Sequence, residues 1–189
     1  MKNLKISAIA LITLISFSSC SDDDSATTPV NEEEVITTVT ATFLPTSGGG
    51  TTVQLSSRDL DGDGPDAPVV TVSGNFVAGA SYSAQVKFLN ELANPAQSIT
   101  EEIHEEGDQH QIFFQHNNLG QFTYADQDVN GNAIGLDVNY TASATPVNGT
   151  LTITLRHEPN KTAPGVAAGN ITSAGGSTDA EVSFPITVQ

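Results

Sequence analysis

Two short segments place acidic side chains at alternate positions and close with glycine: Asp59-Leu60-Asp61-Gly62-Asp63-Gly64 and Asp126-Gln127-Asp128-Val129-Asn130-Gly131. This spacing suits calcium, because oxygens at alternate positions of a tight loop converge on one point, and the glycine permits the turn that brings the seventh residue's carbonyl inward. Pro65 and Asn132 hold those seventh positions. The twelfth position, where a helix–loop–helix calcium site carries a bidentate acid, is Asp137 when counted from Asp126 but Val70 when counted from Asp59. Asp66 offers the first loop an acid at position eight. Asp59, Asp61, Asp63, Asp126, Asp128, Asn130 and Asp137 are therefore the expected metal ligands, with Ca2+ as the expected cofactor. Neither segment is flanked by helical sequence, so the resemblance is to calcium loops of extracellular β proteins. The same Asp, Asn and Gly residues are also those that tight turns between strands require.

The densest group of transition-metal ligand types is Glu101, Glu102, His104, Glu105, Glu106, Asp108 and His110. Imidazole and carboxylate together suit zinc, iron or copper. On a strand, Glu102, His104 and Glu106 would share one face, and a turn at Gly107-Asp108 would bring His110 opposite it. The competing reading is an edge hairpin whose charge prevents further strand pairing. No GxSxG elbow, HExxH helix, glycine-rich phosphate loop or cysteine nucleophile is present, so the sequence supports no catalytic residue and no enzyme.

The elements that must position these groups read as strands. Alternating apolar and β-branched runs recur between Gly, Asn, Asp and Pro, and predict strands at 35–43, 51–56, 69–72, 82–88, 99–105, 109–115, 121–124, 134–141, 149–156 and 180–188. Tyr82, Ala84, Val86 and Phe88 alternate with Ser83, Gln85 and Lys87, and Leu151, Ile153 and Leu155 repeat the pattern, so one face of each strand should be buried. Without helices to cover a parallel sheet, the fold class expected is all-β, an antiparallel sandwich like immunoglobulin or fibronectin type III domains, with an up-and-down barrel as the alternative. The connection 160–178, rich in Gly, Ala, Ser and Thr, is long for a compact sandwich and is the loop expected to bind a partner.

The chain opens as a secretory signal: Lys2 and Lys5 supply the positive start, residues 4–17 an apolar stretch, and Ser18-Ser19-Cys20 the end. Phe17-Ser18-Ser19-Cys20 resembles a lipobox, with Phe17 where Leu is commoner, which makes Cys20 the expected lipidation site. Residues 1–19 are then a signal peptide, 20–32 a lipidated cysteine with an acidic linker, and 33–189 one β-sandwich domain. Cys20 is the only cysteine, so no disulfide staples the fold. Ser21-Asp22-Asp23-Asp24 resembles the surface-export signal of Bacteroidetes lipoproteins, which implies anchoring at the outer membrane with cell-surface exposure. Asp24-Ser25-Ala26 resembles an O-glycosylation acceptor of the same phylum. The Asn-x-Thr sequons at Asn139, Asn148, Asn160 and Asn170 are expected of a Thr-rich chain and carry no assignment.

Beyond the signal, 22 acidic residues face only Arg58, Lys87, Arg156 and Lys161, a formal charge of −18. Such a balance excludes binding to nucleic acid or an anionic lipid surface through a basic patch. It also means that the fold should gain from cations that neutralise carboxylates.

Residues 32–39 (Glu-Glu-Glu-Val-Ile-Thr-Thr-Val), Asp61-Gly62-Asp63-Gly64-Pro65 followed by Ala67-Pro68, Phe88-Leu89-Asn90-Glu91, Ile99-Thr100-Glu101-Glu102 and Leu155-Arg156-His157-Glu158-Pro159 resemble a family of small flavobacterial lipoproteins across nearly the whole mature domain. The resemblance implies surface or periplasmic exposure and carries no activity. A type 1 periplasmic binding fold, a label associated with some members, is contradicted by the strand pattern, since that fold alternates strands with helices. The expectation is a non-enzymatic, membrane-anchored module that binds a glycan, protein or polymer, with calcium stiffening its Asp-rich turns. The alternatives are an envelope protein without a specific ligand and a metal-capturing lipoprotein using His104 and His110.

Overall fold

The computed structural model describes residues 34–62 and 64–189. The signal, Cys20 and the linker, and Asp63 of the first Asp-rich segment, lie outside the described residues. Ten strands follow in order: β1 (Thr38–Ser47), β2 (Val53–Arg58), β3 (Val69–Val72), β4 (Ser81–Asn90), β5 (Gln97–Ser98), β6 (His110–His116), β7 (Gly120–Tyr124), β8 (Asp137–Ala142), β9 (Val147–His157) and β10 (Ser177–Val188). One short helix, α1 (Ile99–Glu105), lies between β5 and β6.

Every strand pairing is antiparallel. The larger sheet runs β3-β2-β1-β4-β8-β7, with β5 added beside β4, and the smaller runs β10-β9-β6. The two sheets pack face to face as an antiparallel sandwich, and neither closes into the barrel considered as the alternative.

The alternation in β4 takes effect as the pattern demands: Tyr82, Ala84, Val86 and Phe88 are buried, while Gln85 and Lys87 meet water. Leu151, Ile153 and Leu155 of β9 enter the same core from the opposite sheet. An aromatic stack runs from this core out to its edge. Tyr140 lies on Phe122 with centroids 4.5 Å apart, and Phe122 lies on Phe114 at 4.9 Å and 9° between planes. Phe43 and Phe76 meet Tyr140 edge-on, the arrangement that the ring quadrupole favours.

One predicted strand is a helix. Residues 99–105 form α1, which buries Ile99 and Ile103 against the core and leaves Glu101, His104 and Glu105 in solvent. A strand would have set Glu101 on the same apolar face as both isoleucines, whereas a helix brings positions four apart together and turns Glu101 away. The Gly107-Asp108 turn consequently joins a helix to a strand and makes no hairpin.

The long connection before β10 is packed. Two 3-10 turns, Val166–Ala168 and Ile171–Ser173, fold it over the outer face of β6, where Phe113, Val166 and Ala174 form a second fully buried cluster. Gln111, also on that face, donates to the Val166 carbonyl at 3.0 Å. The smaller sheet is thus covered on both sides at β6, by the larger sheet within and by this loop without, while Glu181, Ser183 and Pro185 on the outer face of β10 remain exposed.

Candidate functional site

The two Asp-rich segments are the β2–β3 and β7–β8 connections. In the first, Asp59 Oδ1 accepts from the backbone amides of Asp61 and Gly62 at 3.2 and 3.0 Å, and Asp61 Oδ2 accepts from that of Asp66 at 3.1 Å. These bonds make an exposed turn of the kind that Asp side chains build locally.

In the second, Asp126 gathers three amides: Gly135 at 2.8 Å on Oδ1, and Leu136 and Asp137 at 2.8 and 3.1 Å on Oδ2. Asp128 Oδ1 accepts from the amides of Asn130 and Asn132 at 2.8 and 2.9 Å. Its other oxygen lies 3.0 Å from the Lys161 ammonium, which also donates to the carbonyls of Gly107 and Ala133. The chain's own ammonium therefore stands where the spacing anticipates a cation. Burial alone would raise the Asp128 carboxyl, but the Asn132 amide, the Lys161 ammonium and the Asn130 amide together hold it below the usual range. Asp137, the expected twelfth ligand, is an exposed residue at the start of β8 whose carboxylate meets Gln85 at 3.4 Å.

Beside this loop lies the main groove. β6 and β7 are edge strands of the two sheets; a hollow of about 230 Å³ opens between them, and an adjoining one of about 580 Å³ lies between β7, the second Asp-rich loop and the long connection. The floor is Phe114, Phe122 and Tyr124, one wall is Ala167, Ala168 and Gly169 of the long connection, and the far end is Gln127, Gly131 and Asn132 of the second Asp-rich loop. Gln121 and Thr123 project from the edge strand into solvent. The Tyr124 hydroxyl donates to the Ile112 carbonyl at 2.8 Å and its burial pushes its pKa to about 12, so it stays protonated in the wall. Burial likewise pushes His116 down, so its imidazole enters the groove uncharged. No Lys or Arg lines either hollow.

At the other end of β6 is a buried cluster whose full membership the sequence does not reveal. His110 on β6 is registered directly opposite His157 on β9, and the rings lie 4.7 Å apart. Asp179 joins them because the β9–β10 register shifts between Thr178 and Ala180, a bulge that inserts one residue and re-aims it. Glu34, entering before β1 of the opposite sheet, places Oε1 3.2 Å from His110 Nε2. Asp179 Oδ2 lies 3.9 Å from the same nitrogen, and Asp179 Oδ1 lies 4.0 Å from His157 Nδ1. Among the described residues, the groups of three or more whose ligand atoms fall within 4.8 Å of one another are His110, His157, Asp179 and Glu34, Glu106, His110. His104 belongs to neither, because the helix sets it on the exposed side. The signal for His157 was its place in the Leu155–Pro159 segment, but its distance from His110 in the chain hid the pairing.

No protein-family model matches the chain, and neither the curated proteins nor the solved structures yield a match.

Proposed function

We propose that the protein is a non-enzymatic binding module, lipid-anchored through Cys20 at the outer face of the outer membrane, that takes a neutral glycan chain in the groove between β6 and β7. The observation that carries this reading is the groove itself, lying along the edge strand β7 and walled by the long connection. Its lining favours sugars. Planar amides of Gln121, Gln127 and Asn132 are groups that pair with vicinal hydroxyls, and the aromatic floor accepts the C–H faces of pyranose rings. The lack of any lining base, in so acidic a chain, disfavours anionic polymers.

A glycan array probed with the full chain in detergent tests the reading. Signal on neutral glycans, weakened at least tenfold by Gln121→Ala with Gln127→Ala, is the expected result, since both side chains are exposed and neither is needed for folding. Signal confined to extended peptides would make the free edge of β7 a strand-addition site instead, and no signal on either would leave an envelope role without a ligand. The anchor is tested separately: Cys20→Ala should move the protein from the membrane fraction to the soluble one, and retention in the membrane would remove the lipid from this account.

A further inference from the structure

We infer that His116 is the residue by which the groove selects sugars carrying an acetamido group, its Nε2–H donating to the acetamido carbonyl oxygen. The assignment rests on the glycan reading above and names the sugar that the groove takes.

Alternation along β6 puts His116 on the same face as Ile112 and Phe114, which turn toward the core between the sheets. At the edge of that core its ring lies 5.4 Å from the Phe122 ring, tilted by 49°. Nδ1 is enclosed there and makes no hydrogen bond among the described residues. Nε2 makes none either, but it stays accessible where the ring lines the groove. Burial keeps the imidazole neutral, and a neutral imidazole carries its one proton on one nitrogen or the other. On Nδ1 that proton would be an enclosed N–H without an acceptor, the kind of orphan donor that folded chains avoid. On Nε2 it meets water or a ligand. The groove therefore presents an N–H donor at this point.

The other polar side chain on this inner wall is already engaged. The Tyr124 hydroxyl donates to the Ile112 carbonyl at 2.8 Å and accepts from Gln111 Nε2 at 3.2 Å. Gln121 and Thr123 alternate to the opposite face of β7, and the remaining side chains of the wall are apolar. A single donor in an apolar wall matches a carbonyl oxygen with a methyl group beside it, and an acetamido group offers both. A hydroxyl in the same place accepts from Nε2–H as well, but finds no free side-chain acceptor on that wall for its own proton. Charge selects in the same direction. Residues 109–125 and 138–155, which build this part of the domain, contain no Asp, Glu, Lys or Arg. Neither a carboxylate nor a free amine on the sugar would meet an ion-pair partner there, whereas the acetamido group needs none.

The test uses the full chain in detergent with nitrogen-15-labelled histidine. The probes are two hexasaccharides of identical β-1,4 backbone: chitohexaose, with an acetamido group on every ring, and cellohexaose, with a hydroxyl in its place. In the free chain the His116 signal, identified by its loss in His116→Gln, should report the proton on Nε2. Chitohexaose should shift that signal and bind at least tenfold more tightly than cellohexaose, about the worth of one hydrogen bond. His116→Asn, whose amide reaches only the Nδ1 position, should abolish the preference. His116→Gln, whose amide nitrogen reaches the Nε2 position, should keep most of it, and unfolding midpoints show whether each variant folds. A proton found on Nδ1 would overturn the assignment without any sugar. Equal affinity for the two hexamers, a preference that survives His116→Asn, or array signal confined to glycans without acetamido groups would overturn it and leave the groove a neutral-glycan site. Binding of neither hexamer and of no glycan on the array would remove the glycan reading and the acetamido assignment together.

Discussion

Replacing Lys161 with methionine is expected to destabilise the domain by about 3–5 kcal/mol, the cost of leaving one member of a buried ion pair uncompensated. The Lys161 side chain is 5% exposed and that of Asp128 is fully enclosed. Methionine keeps most of the stem volume but removes all three donors, so the Asp128 carboxylate and the carbonyls of Gly107 and Ala133 lose a partner together. The partners sit on two segments, the turn after α1 and the β7–β8 loop, and Lys161 ties both to the start of the long connection. The midpoint of thermal unfolding should fall by about 10 °C at neutral pH, and adding Asp128→Asn to Lys161→Met should recover part of that loss. The effect should also depend on pH with a definite sign. The folded Asp128 ionises below its ordinary value, so the stability it contributes is complete above the unfolded pKa and is lost as pH falls through the lower, folded one. The gap between the parent and Lys161→Met should therefore narrow in acid, and a gap that widens there would mean the pair has been misread.

The strand pattern was legible wherever one face of a strand meets the core and the other meets water, as in β4 and β9, because a period of two leaves no second interpretation over seven or more residues. It failed at residues 99–105. Two isoleucines four apart satisfy both a strand and a helix, and only the placement of Glu101 between them distinguished the two. The Asp-rich loops were located correctly as connections, but their spacing could not report where the carboxylate oxygens are directed. In β7–β8 they turn inward onto backbone amides and a lysine from a distant segment. That lysine is one of only four strong bases beyond the signal, which was the available clue, since an isolated base in so acidic a chain has a choice of partners and still ends up buried.

His110 was visible as a ligand type, but the structure sets it beside His157 and Asp179 and leaves His104 apart, for a geometric reason. The reading took ligands from adjacent sequence, whereas a sheet brings together residues by register. His157 lies opposite His110 across one ladder, and Asp179 reaches them only through an inserted residue in the next. A bulge has no reliable sequence signature, so the approach of Asp179 to the two rings was beyond pattern reading. The same strand reaches both the buried cluster and the groove. One end of β6 supplies His110 to the buried cluster, and the other supplies Phe114 and His116 to the groove.

Asp126→Ala should cost about 3 kcal/mol, although no cation is lost with it, because the carboxylate accepts from three backbone amides and bonds to a charged acceptor are worth more than neutral ones. The segment it gathers is not peripheral. Ile134 and Leu136 are core residues, 1% and 5% exposed, and their carbonyls accept from the amides of Ile112 and Val86, which lie in opposite sheets. Asp126 thus holds the stretch of chain that ties the two sheets together at this end. Asn at the same position keeps one oxygen and should fall between Asp and Ala, as read from denaturant midpoints with an unchanged slope. The same titration separates a turn from a metal loop. With its oxygens already engaged by amides and Asp128 already paired with Lys161, the unsubstituted chain should unfold at the same midpoint in EDTA and in millimolar Ca2+ at fixed ionic strength. A calcium-dependent rise abolished by Asp126→Ala would mean instead that the loop opens to coordinate the ion, with the amides of Gly135, Leu136 and Asp137 released in exchange.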